Sequence, residues 1–167
     1  MKKLLLLVLL PLMAAMPTST KWVKIDYAEN EAVFKLPEGY KKEITKTESL
    51  EITKYSKTDG DITLMVSINA VAATDLNYNA KKKLVDQGAE SFKDALKDFT
   101  VSYTAYKDYK DEPGKLLILG DGNNTIKYWV IITNSKMYQL VCLFSNINSK
   151  EGTSHTNKLF KSFKLNK

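Results

Sequence analysis

Two side chains in this sequence have the type needed for nucleophilic or acid–base chemistry and occur only once each: His155 and Cys142. His155 is the only imidazole available as a general base for a Ser–His or Cys–His dyad. It sits in Glu151-Gly152-Thr153-Ser154-His155-Thr156, which reads as a helix start, and nothing there turns it toward Ser154 or Cys142. An exposed histidine near a helix cap is the expectation. Cys142 lies in Leu140-Val141-Cys142-Leu143-Phe144, the setting of a small core residue; a reactive thiol wants an electropositive, partly exposed site. One thiol makes no internal disulfide. One His and one Cys do not supply the several N and S ligands of a zinc site. No cofactor is expected.

The carboxylates form two groups. Asp59 and Asp61 flank Gly60, and Asp108, Asp111 and Glu112 share a loop. Calcium takes six to eight oxygens, and neither group has the spacing of a twelve-residue calcium loop. Asp59 is explained by a turn and the second group by a solvated loop before Pro113-Gly114. No catalytic or metal-binding residue is assigned, and the chain is expected not to be an enzyme.

The aromatic residues are the most informative class, with 9 Tyr and 2 Trp. Tyr103, Tyr106 and Tyr109 fall in one strand-like stretch. At strand period Tyr103 and Tyr109 share a face and Tyr106 points oppositely. One side is expected in the core and the other exposed, where tyrosine offers contact area at low entropy cost. These three are the candidate binding residues.

The elements that must position them follow from periodicity. The 167 residues are 44% hydrophobic and 26% charged, ordinary for a globular domain. Val23, Ile25 and Tyr27 alternate, then Phe34 and Leu36, and Pro37-Glu38-Gly39 ends this first hairpin. Leu50 and Ile52 alternate against Glu51, Thr53 and Tyr55. Asp59-Gly60 signals a type I′ turn into a strand whose apolar face is Ile62, Leu64, Val66, Ile68 and Ala70. From Asn79 to Phe99 the period changes to that of a helix, capped by Asn77 or Asn79, with Leu84, Gly88, Phe92, Ala95, Leu96 and Phe99 inward. Lys83, Asp86, Lys93, Asp94 and Lys97 form the opposite, solvated face.

Period two then returns. Val101, Tyr103 and Ala105 share a face; Leu116–Leu119 and Ile126–Thr133 follow. Tyr138–Phe144, apolar on both faces, is expected at the centre of a sheet. Ser154 caps a last helix with Leu159, Phe160 and Phe163 inward. The order is hairpin, hairpin, helix, three-strand meander, helix: an antiparallel α+β domain.

The N-terminus reads as a secretory signal peptide. Lys2 and Lys3 precede the apolar run Leu4–Met13, with Ala14 and Ala15 after it. The run is shorter than the ~20 residues of a membrane span. The expected organisation is a signal peptide at 1–15, cleaved after Ala15, and one globular domain at 16–167. No cysteine follows the run, so no lipoprotein anchor is expected. Losing Lys2 and Lys3 lowers the formal charge from +6 to +4. Basic and acidic residues are interspersed, without the basic stripe of a nucleic-acid surface.

The chain resembles the PsbP-like family, which includes the extrinsic protein of the oxygen-evolving complex, a Ran-binding import factor and bacterial secretion or immunity proteins. The resemblance rests on Ala-Val-Phe-Lys-Leu-Pro-Glu-Gly-Tyr (Ala32–Tyr40), the helix after the second hairpin, Lys-Met-Tyr-Gln-Leu-Val (Lys136–Val141) and Leu-Phe-Lys-Ser-Phe-Lys-Leu (Leu159–Leu165). It implies an α/β/α sandwich with two main helices, acting by contact with other proteins. It transfers no site residue. The resulting expectation is a periplasmic or secreted bacterial protein whose partner is another envelope or secreted protein, as an accessory or immunity-type factor. Two other readings stay open: a small-molecule or lipid carrier with a cavity lined by Phe92, Tyr103 and Trp129, and a hydrolase built on His155 or a carboxylate pair.

Overall fold

Among the described residues ten strands form, most of them by alternation of apolar and polar residues, and two stretches of helical period cover them. A computed structural model of the chain describes residues 20–28, 31–47, 51–71 and 75–166. The expected signal peptide, residues 29 and 30 of the first hairpin, and Leu50 lie outside the described residues.

The first hairpin pairs β1 (Trp22–Tyr27) with β2 (Ala32–Pro37), and Phe34 and Leu36 are fully buried. Then β3 (Lys41–Lys46), β4 (Glu51–Asp59) and β5 (Ile62–Ala70) run as a meander. Helix α1 (Tyr78–Asp94) leads to a four-strand meander of β6 (Thr100–Tyr106), β7 (Gly114–Gly120), β8 (Asn124–Ile132) and β9 (Lys136–Ser145). A short 3-10 turn precedes α2 (Ser149–Ser162), and β10 (Lys164–Leu165) returns to pair with β2. Every strand pairing is antiparallel.

The large sheet has the order β3-β4-β5-β9-β8-β7-β6, and the small one β1-β2-β10. β9 is the central strand of seven, as its two apolar faces require. Helix α1 covers one face through Val85 and Ala89, which pack on Leu117, Leu119, Tyr128 and Val130. The other face, carrying Tyr55, Leu64, Val66, Tyr138 and Leu140, is covered by the small sheet and by α2 through Leu159, Phe160 and Phe163. This is the expected α+β sandwich.

Several local expectations are corrected. β4 buries Thr53 and Tyr55, so its inward phase is one residue away from Ile52. In the β4–β5 turn Asp59 pairs with Ile62, and φ is positive at Gly60 but not at Asp61. A type I′ turn needs positive φ at both central positions, so this is not one. The α1 stripe centres on Lys81, Val85 and Ala89 rather than Leu84 and Gly88, and the helix stops at Asp94; Leu96 and Phe99 pack on the same core from the connection that follows. Its N-cap is Asn77, whose side chain accepts from the Ala80 N–H at 2.9 Å. Helix α2 begins at Ser149, before Ser154, with Asn148 in the N-cap position. β3 and β10 have no counterpart in the sequence pattern, and the second meander has four strands.

Candidate functional site

His155 and Cys142 have different partners. His155 lies inside α2, with Nδ1 3.0 Å from the Glu151 carbonyl oxygen and its ring 5.5 Å from that of Trp22. It is partly buried rather than exposed at a cap, because α2 starts a turn and a half earlier. Cys142 is fully buried. Burial pushes its thiol up to about 11, a shift that the Thr156 hydroxyl and Lys127 oppose without reversing. Its Sγ–H faces the Gly152 carbonyl at 3.7 Å. The Cys142 thiol is therefore core material.

The carboxylates serve turns and loops. Asp59 accepts from the Thr20 hydroxyl at 3.2 Å, and Asp61 from the Asn148 amide at 3.1 Å. Asp108 accepts from the Tyr78 hydroxyl at 2.7 Å and from the Gly114 N–H at 3.1 Å. Glu112 meets Lys81 at 2.7 Å, with the two side chains only 15% and 10% exposed. That ion pair ties the loop after β6 to α1, and it explains how a lysine comes to be buried on a helix face. Among the described residues no group of three His, Cys, Asp or Glu side chains is placed to hold a metal ion.

The three aromatics expected to line a carrier cavity do not converge. Phe92 stacks on Tyr128 at 3.9 Å beneath α1. Trp129 points to the opposite face of the sheet, against Phe160 and Phe163. Tyr103 is half exposed at the sheet edge. A recess of ≈190 Å³ does exist between the 109–112 and 133–135 turns, but its wall includes Glu31, Lys110 and Glu112.

The candidate tyrosines divide differently from the strand alternation. β6 ends at Tyr106, so Tyr109 leaves the strand and packs inward on Phe163 at 5.6 Å and Trp129 at 6.3 Å. A register shift between Val101 and Tyr103 breaks the shared face expected of Val101 with Tyr103 and Ala105. Tyr103 and Tyr106 are both 50% exposed. Tyr78, which no strand pattern signals, joins them at the surface.

Tyr106 is held by a compact network. Its hydroxyl donates to Asp86 at 2.9 Å, Lys115 donates to the same carboxylate at 2.8 Å, and the Lys82 ammonium lies 4.0 Å above its ring. Asp86 is thus tied to β6 and β7, while its side chain stays 40% exposed. Burial alone would raise its carboxyl, but the hydrogen bonds from Lys115 and Tyr106 and the two lysine charges together hold it below the ordinary range. A carboxyl depressed on folding stabilises above its unfolded value, and that stability is lost as pH falls through the folded one. Acid unfolding of Asp86→Asn should therefore show a shallower loss of stability in the carboxylate range than the parent chain. An identical pH profile in the two proteins would refute this role for Asp86.

β6 itself is an edge strand, Thr-Val-Ser-Tyr-Thr-Ala-Tyr, with no charged residue and no proline. The opposite edge, β3, is Lys-Lys-Glu-Ile-Thr-Lys and exposed throughout. Charged edges are a usual protection against unwanted strand pairing, and β6 lacks it. The Lys107 N–H donates to the Gly114 carbonyl at 2.9 Å, on the β7 side. Antiparallel alternation then directs the N–H groups of Thr104 and Tyr106 outward.

No protein-family model matches the sequence, and no curated protein does. Solved structures do. The Mog1p Ran-binding protein of Saccharomyces cerevisiae is 8% identical, with 88% of this chain and 96% of that chain covered at TM-score 0.48. A Pseudomonas aeruginosa protein described as a putative regulator is 13% identical, with 80% and 89% covered at TM-score 0.41. Both scores are too low to argue from. Cyanobacterial PsbP from Synechocystis sp. PCC 6803 is 13% identical, with 93% of this chain and 99% of that chain covered at TM-score 0.64. The sandwich of α1, the seven-stranded sheet and the α2 layer is therefore the PsbP-like fold.

Proposed function

We propose that this chain is an exported binding protein that acts through protein–protein contacts, with β6 as the docking edge for an extended segment of its partner. The observation that carries the reading is β6: an uncharged edge strand, with outward backbone donors at Thr104 and Tyr106 and half-exposed Tyr103 and Tyr106 flanking them. Strand addition takes its affinity from main-chain hydrogen bonds and its specificity from side chains on alternate faces. Exposed Tyr103 and Tyr106, the latter already oriented by Asp86 and Lys82, supply the anchors. The export part rests on Lys2-Lys3, Leu4–Met13 and Ala14-Ala15, and places the partner in the envelope or outside the cell. An accessory or immunity-type role is the concrete form, since both require a tightly bound protein partner.

The experiment compares capture from an envelope extract by the parent chain, by Thr104→Pro and by Tyr103→Lys. Proline removes an outward donor without touching the β7 ladder, and lysine blunts the edge. A protein retained by the parent should be lost about tenfold or more from both variants, consistent with ~1.4 kcal/mol per decade. It should be retained by the control Ile44→Pro on the β3 edge. Capture unaffected by either β6 variant would overturn the docking edge.

A further inference from the structure

A second surface, sharing no residue with the β6 edge, concentrates positive charge. Between the outer face of the small sheet and the outer side of α2 runs an open groove of ≈580 Å³, lined by Lys24, Lys35, Lys158, Lys161, Lys164 and Ser162. Lys24 and Lys35 are direct cross-strand partners in the β1–β2 register. Like charges placed opposite one another on an antiparallel pair are destabilising. Lys158 and Lys161 stand one turn apart on α2, and Lys164 opens β10. Among the described residues, the ion pair at the groove is Lys24 with Asp26 at 2.9 Å. Five lysines against that carboxylate leave four positive charges, as many as the formal +4 of residues 16–167. A helix C-terminus favours a cation in its last turn, which accounts for Lys161 but not for Lys24 facing Lys35.

We infer that this groove is a binding site for a compact, multiply phosphorylated ligand. The five ammonium groups are point charges without the planar fork that matches a carboxylate, so they select for charge density and reach. A phosphate monoester carries about −1.5 to −2 at neutral pH, and two or three such groups match the groove. The lysines are closely set: Lys158 and Lys161 are separated by about 4.5 Å along the helix axis, and Lys24 and Lys35 sit on strands about 5 Å apart. An acidic peptide would need four carboxylates on one face of an extended strand, spread over ~20 Å. The compact ligand fits this arrangement better. Its source is either a soluble polyphosphorylated molecule or the headgroup of a phosphomonoester lipid.

The test is calorimetric titration of the full domain with inorganic tripolyphosphate at low salt, alongside flotation with phosphatidylcholine vesicles in which one lipid in five is phosphatidic acid. Affinity should fall at least tenfold in Lys35→Glu/Lys161→Glu. The same charge change made elsewhere, in Lys83→Glu/Lys97→Glu, should cost less than about threefold, the screened long-range part. Binding to tripolyphosphate with no vesicle flotation supports the site and identifies a soluble ligand. Flotation that the groove variant abolishes supports it and identifies the headgroup. Equal losses in the two double variants would reduce the effect to net charge and overturn the site. So would absence of binding in both arms, or a poly-glutamate peptide of matched charge binding as tightly as tripolyphosphate.

Discussion

Gly152→Ala is expected to lower the melting temperature by roughly 6–9 °C, although alanine is the better helix former. A Cβ at Gly152 would sit 2.1 Å from Cγ and 2.5 Å from both Cδ atoms of Phe144. The bare backbone of α2 rests on the face of that ring, and Phe144 is itself fully buried in the core. Helix propensity alone would give alanine about 1 kcal/mol over glycine. Overpacking a filled core costs about 1–3 kcal/mol and sometimes more, and a contact this short can be relieved only by lifting α2 off β9 or by driving Phe144 from its rotamer. We place the net loss at roughly 2–3 kcal/mol, at about 3 °C per kcal/mol for a domain of this size. Thermal unfolding followed by circular dichroism reads it. The double variant Gly152→Ala/Phe144→Leu should recover part of the loss, giving a non-additive cycle. An unchanged or higher melting temperature in Gly152→Ala would show that the helix–sheet distance is not set here.

Trp129→Ala should be more damaging. The indole sits among Tyr109, Phe160 and Phe163 at centroid distances of 6.3, 5.5 and 6.1 Å. Its Nε1–H donates to the Lys107 carbonyl at 2.8 Å, and the Lys107 ammonium lies 4.7 Å above the ring. Deleting a buried aromatic of this size costs about 3–5 kcal/mol. Trp129→Phe divides the effect: it keeps much of the packing and leaves the Lys107 carbonyl without its donor, a loss of about 1–3 kcal/mol. Denaturant titrations should therefore rank the parent above Trp129→Phe and Trp129→Ala lowest. Equal stability of the Phe and parent proteins would show that the indole hydrogen bond contributes nothing. Gly114 belongs to the same arrangement. A side chain there would meet the Lys107 carbonyl at 2.4 Å and Trp129 Nε1 at 3.0 Å, so the chain reaches this carbonyl only because position 114 is glycine.

Why some of this was legible in the sequence and some was not follows from what each residue faces. Strands with one apolar face, such as Ile62–Ala70, and the two-sided β9 announced themselves by period. β3 did not, because all six of its residues are exposed and Lys41, Lys42, Glu43 and Lys46 carry no alternation. The buried Lys81 was hidden because its partner, Glu112, is 31 residues away in a loop. The same distance problem concealed Asp86, whose partners Tyr106 and Lys115 come from β6 and β7. Tyr103 and Tyr106, picked out by type, are half exposed, while Tyr109 was misplaced because period two holds only while the strand lasts. The basic groove joins lysines scattered from 24 to 164, which only the folding of β10 and α2 against β2 brings together.

The unequal edges of the large sheet also limit self-association. Growth of a fibre by stacking copies side by side needs two different edges that accept each other, so that each addition exposes the next acceptor. Here one rim is bare and the other bristles with lysine, so a stack that began at the bare rim would present only charged rims outward after a single back-to-back pair. The molecule can keep one rim open for recognition without becoming the seed of a polymer.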